Sequence, residues 1–155
     1  MRCEGVTVCP VSIVVAVLLS GGLVGCDRGP QVVTSIVFDG ATGSITTTDV
    51  VCTKQLNGGL VILVQDTPSR TVRVQLMQQA RLVVQKAGLR YDGMAGFVAD
   101  SQEVTATKVD DTFTFSGRMP PNSGESQWHT FKIQTTCPGY LDAAPPPVEA
   151  PRGAP

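Results

Sequence analysis

The cysteine at position 26 is the residue whose surroundings point most clearly to chemistry. It follows Leu23-Val24-Gly25, two apolar residues and a small one, at the end of an apolar run that begins near Val11. This pattern is typical of a lipobox, in which the cysteine thiol accepts a diacylglyceryl group and the preceding peptide bond is then cut. The sequence therefore predicts cleavage between Gly25 and Cys26, with diacylglycerol and palmitate held covalently on Cys26 and no other cofactor.

The segment before Cys26 has the length of a secretory signal. Residues 11–19 are predominantly apolar, and Arg2 lies in the weakly positive stretch before them. This apolar core is shorter than the roughly 20 residues that a transmembrane helix needs. We expect residues 1–25 to be a helical lipoprotein signal peptide, with an uncleaved N-terminal anchor as the alternative.

The remaining cysteines suggest one covalent cross-link. Of the five cysteines, Cys3 and Cys9 leave with the signal and Cys26 is acylated, so Cys52 and Cys137 remain. An even remainder in an exported chain indicates one disulfide, and two free buried thiols are the alternative. A bridge across about 85 residues is worth roughly 4 to 5 kcal/mol in the chain-entropy model.

Catalytic and metal chemistry find little support. The chain has a single histidine, His129 beside Trp128, whereas catalytic triads need a histidine placed between a nucleophile and an acid. Two cysteines and one histidine without a C-x-x-C spacing do not supply a closed zinc shell. We interpret His129 as a surface or structural residue and Asp110-Asp111 as a turn, and we predict no catalytic residue, no metal site and no enzymatic activity.

Composition bounds the fold and the partners. The 155 residues suit one domain, and twelve basic against thirteen acidic residues give a net charge of -1. This balance indicates neither a nucleic-acid-binding protein nor a polybasic segment that binds a membrane surface. Sixteen glycines and eleven prolines, many in short polar clusters, favour a loop-rich all-β domain over a helical bundle.

Alternation of apolar and polar residues predicts most of the strands. Thr71 to Leu76 is an example, with three apolar side chains on one face and three polar ones on the other. Strands are expected at residues 32–38, 50–53, 60–64, 71–76, 103–109, 112–118 and 128–137, with turns at Asp39-Gly40, Asn57-Gly58-Gly59 and Asp110-Asp111. Residues 138–155 are rich in proline and poor in apolar residues, so a disordered tail is expected there.

One stretch supports two interpretations. Met77, Ala80, Val84 and Ala87 recur at helical spacing, and Gly88 stands where a helix C-cap would lie. Alternatively, residues 78–79 form a turn and residues 81–86 a strand. The spacing by itself favours the helix.

Five segments, taken in order, match a known family. Together with the lipobox, residues 32–137 resemble the mycobacterial LpqH family of small secreted lipoprotein antigens. The matching segments are Val50-Val51-Cys52-Thr53, Lys86-Ala87-Gly88-Leu89, Thr105-Ala106-Thr107-Lys108, Thr112-Phe113-Thr114-Phe115-Ser116-Gly117 and Phe131-Lys132-Ile133-Gln134-Thr135-Thr136-Cys137.

The resemblance implies a compact antiparallel sheet or sandwich over residues 32–137, held by a disulfide between Cys52 and Cys137, with residues 77–87 forming a hairpin. It also implies a lipoprotein on the extracytoplasmic face of the cell membrane, whose acylated N-terminus is recognised by a host Toll-like receptor. We expect the protein to be a monomer. Unlike the prototype, this chain lacks a long Ser/Thr/Ala/Gly-rich linker after Cys26. Residues 26–31 are therefore expected to be the anchor and a short tether that keeps the domain close to the membrane.

A second function is a carrier of lipids or small apolar ligands. The apolar run Leu60 to Val64 and the face formed by Phe113 and Phe115 would then line a cavity. The alternative is that these side chains form an ordinary core. A large pocket lined by them would favour the carrier.

Overall fold

The computed structural model describes residues 29–144 as an all-β domain. The predicted signal peptide, Cys26 and residues 145–155 of the predicted tail lie outside the described residues. Within them the strands are β1 Val32–Phe38, β2 Ala41–Thr47, β3 Val50–Lys54, β4 Gly59–Thr67, β5 Arg70–Gln78, β6 Leu82–Tyr91, β7 Met94–Val98, β8 Val104–Val109, β9 Thr112–Met119, β10 His129–Thr136 and β11 Leu141–Asp142.

These strands form two sheets. The first sheet has five strands in the order β2-β1-β10-β9-β8, and the second has six in the order β11-β3-β4-β5-β6-β7. All pairings are antiparallel except that of β11 with β3, which is parallel. The predicted all-β class is confirmed, and the two sheets pack as a sandwich around one core.

The core is built by the period-two alternation of the strands, which sends every second side chain to the inner face of its sheet. Phe113 and Phe115 of β9 and Ile62 of β4 show this, since each is fully or almost fully buried. The largest side chains buried between the sheets come from both of them: Ile36, Ile45, Phe113, Phe115, Met119, Ile133, Leu60, Ile62, Val64, Val72, Val74 and Leu76.

Two Asp-Gly pairs close hairpins. Asp39 and Gly40 have φ values of 49° and 81°, and Asp92 and Gly93 have 46° and 90°. Two successive residues with positive φ are the requirement of a type I′ turn, whose twist matches that of the flanking strands. Asp39-Gly40 joins β1 to β2 as predicted, and the second pair joins β6 to the unpredicted strand β7.

The helix that the spacing of apolar residues predicted over residues 77–87 is wrong. The stretch is the β5–β6 hairpin that the resemblance implied, with Gln78 paired to Leu82. Gln75 pairs with Lys86 and Leu76 with Val84, so one extra residue of β6 forms a bulge between them. This bulge shifts the alternation by one position, which leaves the buried residues Val84 and Ala87 three apart and imitates a helical period.

The predicted disordered tail also needs correction over its described part. Residues 141–142 form β11, which pairs with Thr53 and Lys54 of β3, and the Ala143 amide donates a hydrogen bond to the Lys54 carbonyl at 2.8 Å. Tyr140 packs against the core. Backbone pairing to the free edge of β3 therefore holds a segment that is too polar and too short to read as a strand.

Candidate functional site

The first described residues of the chain lie beside the disulfide. Cys26 itself lies outside the described residues, and the first segment seen is the exposed pair Gly29 and Pro30. Pro30 lines a shallow depression of about 300 Å³ together with residues 50–52 of β3 and residues 138–141 after β10. We refer to this part of the sandwich as the anchor end.

Cys52 and Cys137 are joined in the structure, so the alternative of two free thiols is wrong. Their Cα atoms are 5.9 Å apart across 85 residues of sequence. Cys52 lies on β3 of the second sheet, and Cys137 directly follows β10 of the first, so the bridge ties the two sheets together. Both cysteines are buried, at 1% and 3% exposure, which leaves no accessible thiol in the described domain.

The segment after Cys137 is fastened to the anchor end by polar and cation–π contacts. The Tyr140 hydroxyl donates a hydrogen bond of 2.8 Å to the Asp111 carboxylate. The ammonium groups of Lys54 and Lys108 lie 5.0 and 5.5 Å from the centre of the Tyr140 ring. Burial, together with the bond to Asp111, raises the pKa of Tyr140 to about 12, so this phenol stays protonated under physiological conditions.

His129 lies at the opposite end of the sandwich, held between two carboxylates. Its Nδ1 is 2.6 Å from the Asp39 carboxylate of the β1–β2 turn, and its Nε2 is 2.6 Å from the Glu125 carboxylate. The ring stacks on Phe38 with 5.0 Å between centres. Asp39 also accepts a 2.8 Å hydrogen bond from the backbone amide of Thr130. The turn, the start of β10 and the preceding loop are thereby joined at one point.

The charges of this cluster reinforce one another. The hydrogen bond to Asp39, followed by that to Glu125, raises the pKa of His129. The hydrogen bond from His129 lowers the pKa of Asp39 and of Glu125 in turn. The imidazolium state is favoured because only this form can donate from both ring nitrogens. The stabilisation that comes from charged His129 is complete below the pKa of an unfolded histidine and is lost as the pH rises through the raised pKa of the folded state. The stabilisation that comes from the ionised Asp39 and Glu125 is lost as the pH falls through their lowered pKa values.

This geometry gives His129 a structural role in agreement with the interpretation from sequence. In a catalytic triad one ring nitrogen faces the nucleophile and the other faces the orienting acid. Here both nitrogens face acids, so neither is directed at a hydroxyl or thiol. Sequence reasoning found the histidine but missed both partners, which are 90 residues before it and four residues before it in the chain.

The side chains proposed to line a ligand cavity are core. Leu60, Ile62, Val64, Phe113 and Phe115 are each 0% exposed. Five surface depressions of the described domain, with volumes of about 280 to 470 Å³, are lined by other residues. The burial of these side chains agrees with the alternative that they form an ordinary core.

Two further observations concern the described residues only. Residues 29–144 contain no group of three or more His, Cys, Asp or Glu side chains arranged to hold a metal ion. The same residues include no helix of the length and hydropathy needed to cross a membrane.

A known protein family matches the part of the chain that forms this domain. The model of the Mycobacterium 19 kDa lipoprotein antigen matches residues 28–137, from two residues after Cys26 to the second cysteine of the disulfide. The chain belongs to this family. Membership confirms the resemblance to the lipoprotein antigens and implies an envelope-associated lipoprotein. A search of curated proteins gives no match.

Proposed function

We propose that the protein is a lipid-anchored surface antigen without enzymatic activity, attached to the extracytoplasmic face of the cell membrane through Cys26. The observation that carries this proposal is the juxtaposition of the lipobox Leu23-Val24-Gly25-Cys26 with a family match that starts at residue 28. The family supplies the lipoprotein class, and Cys26 supplies the thiol at the position where a lipoprotein is acylated.

The anchoring chemistry needs only the thiol and a small residue before it. Attack of the Cys26 sulfur on a diacylglyceryl donor forms a thioether and releases the donor's head group. Cleavage of the Gly25–Cys26 bond then frees the amine for a further acyl chain. Each buried methylene contributes about 0.8 kcal/mol, so one chain binds a membrane marginally and two or more chains hold it stably.

The second part of the proposal concerns the host. The acyl chains that hold the protein in its membrane are the apolar groups that a Toll-like receptor recognises, and the described domain acts as a compact carrier of this signal. The disulfide is consistent with an exported protein, because such bridges persist in oxidising compartments outside the cytosol.

The test compares full-length wild type with Cys26→Ala, both expressed in a mycobacterial host. We expect wild type to partition into detergent and to activate reporter cells that carry the receptor, and the variant to do neither. A matched control is the double variant Cys52→Ala/Cys137→Ala, which lacks the bridge but keeps the anchor and should stay in the detergent phase. Detergent partition of Cys26→Ala equal to that of wild type would overturn the anchor, and equal receptor activation by the two would overturn the host signal.

A further inference from the structure

The outer face of the second sheet carries an exposed aromatic ring among cations. One row of residues crosses three strands there, with Arg73 of β5 paired to Gly88 of β6 and Gly88 paired to Phe97 of β7. Lys86 and Arg90 lie two positions either side of Gly88 and so face the same way. We call Arg73, Lys86, Arg90 and Phe97 the basic patch. Phe97 is 55% exposed, whereas phenylalanine side chains are more often buried.

Two depressions flank the row and share its members. The lining of the first, of about 320 Å³, includes Arg73, Gly88, Phe97 and Lys86. The lining of the second, of about 280 Å³, includes the same first three residues and Arg90. The Phe97 ring lies next to Gly88, since a Cβ at that position would be 3.5 Å from the ring. Each depression is thus lined by the apolar ring of Phe97 and by two cationic side chains.

The charged side chains of β5 and β6 are all cationic. Strands β5, β6 and β7 contain no aspartate or glutamate. Arg70, at the start of β5, is neutralised by Asp92 at 2.7 Å, whereas none of the ion pairs found among residues 29–144 includes Arg73, Lys86 or Arg90. The patch therefore suits an anionic surface that also accepts an aromatic side chain.

The patch lies on the row that leads to the anchor. Val51 of β3 pairs with Leu63, which pairs with Arg73, so the row runs without interruption from the anchor end to Phe97. Four strand spacings cover about 19 Å. Pro30 lies beside Val51, and the four Cα–Cα steps from Cys26 to Pro30 span at most about 14 Å when the chain is extended. An acyl group on Cys26 thus holds this face within reach of a bilayer.

We propose that the basic patch docks the domain on the anionic leaflet in which its own lipid anchor is inserted. Arg73, Lys86 and Arg90 contact lipid phosphates, and Phe97 enters the interface between head groups and acyl chains, where aromatic rings are favoured. This proposal rests on acylation at Cys26. It adds an orientation: the outer face of the second sheet is turned toward the membrane, and the outer face of the first sheet is turned away from it.

The test uses the acylated full-length protein in vesicles of phosphatidylcholine, with and without phosphatidylglycerol. Trp128 is the sole tryptophan and lies over Arg118 of the first sheet, at 5.3 Å. The variant Trp128→Phe/Phe97→Trp moves the indole to the patch. Lipids brominated on their acyl chains quench an indole that enters the interface. We expect quenching in the variant on anionic vesicles, little on neutral ones, and none for the wild-type indole on either.

Charge variants in the same background supply the second arm. A cation near an anionic membrane contributes a factor of about five to the ratio of docked to undocked molecules, so Arg73→Gln lowers that ratio about fivefold and the triple Arg73→Gln/Lys86→Gln/Arg90→Gln about a hundredfold. Lys132→Gln, on the exposed side of the first sheet, is the matched control and should change nothing. Unchanged circular dichroism and melting temperature establish that each variant is folded.

The outcomes separate the two proposals. Failure of the protein to float with neutral vesicles contradicts acylation at Cys26, whatever the patch does. Flotation with both vesicle types but no quenching at the patch, equal quenching on both, or quenching that survives the triple substitution overturns the docking. A soluble polyanion that binds the patch while vesicles give no quenching would assign it to another partner and would also overturn the proposal.

Discussion

Removal of the disulfide is the perturbation whose size follows most directly from the fold. The bridge spans 85 residues and joins a strand of the second sheet to the end of β10 in the first. In the chain-entropy model a loop of that length is worth about 4 to 5 kcal/mol, because the cross-link restricts the unfolded chain. Since small domains are stable by only about 5 to 15 kcal/mol, the loss takes away a large part of the total.

The measurement is urea unfolding of wild type, Cys52→Ala, Cys137→Ala and the double variant, followed by far-ultraviolet circular dichroism. Each single substitution already breaks the bridge, so we expect all three variants to lose about 4 to 5 kcal/mol rather than the double to lose twice the single. The melting temperature should fall by roughly 15 to 25 °C. The slope of unfolding free energy against urea should increase, because the uncrosslinked chain exposes more surface.

Two results would refute this reasoning. A loss below about 1 kcal/mol would mean that the unfolded chain is already compact enough for the bridge to constrain little. Additive single substitutions would mean that the cost comes from the cavities left by two small buried side chains and not from the cross-link.

The remaining predictions concern single contacts. The hydroxyls of Thr34 and Thr135 are buried and share a hydrogen bond of 2.7 Å. Thr34→Val should lower the free energy of unfolding by about 1 to 3 kcal/mol because it leaves the Thr135 hydroxyl without a partner, and adding Thr135→Val should restore most of this loss. A double-mutant cycle measured by urea unfolding tests both expectations. A gain in stability from the single substitution would contradict this. The pKa of His129 is raised by its two carboxylate partners, so the advantage of wild type over His129→Gln in urea midpoint should shrink as the pH rises from below the ordinary histidine value of about 6.5 through the raised folded value. A difference that stays constant over this rise would argue against a charged imidazolium between the carboxylates. A Cβ at Gly117 would collide with the main-chain carbonyl of Glu103, so Gly117→Ala should destabilise by about 1 to 3 kcal/mol in the same assay; a neutral effect would show that the start of β8 can move freely.

Local chemistry predicted most of the strands because one face of each is buried. Thr112 to Met119 and the Asp39-Gly40 turn were readable for this reason. The hairpin at 77–87 was not, because a bulge on β6 shifts the alternation and no residue type marks it. Strands β2 and β11 have few or no buried side chains and are held by backbone bonds to their neighbours, which leave no trace in hydropathy.

The sites divide in the same way. The lipobox is a short local motif, and the disulfide follows from counting the cysteines, so both could be predicted from the sequence. The His129 cluster depends on Asp39, which comes 90 residues earlier and reaches the histidine only because β1 pairs with β10. The basic patch likewise needs the register of β5, β6 and β7 before Arg73 and Phe97 become neighbours of Gly88. The pairing register between strands that are distant in the chain cannot be predicted from a single sequence.

The most direct test of the account is the intact mass of the mature protein extracted from mycobacterial membranes, measured before and after reduction. The account predicts a chain that begins at Cys26, carries the mass of a diacylglyceryl group with added acyl chains, and gains two hydrogen atoms when the Cys52–Cys137 bridge is reduced. A mature chain that begins at any other residue, or one that begins at Cys26 without a lipid, would contradict it.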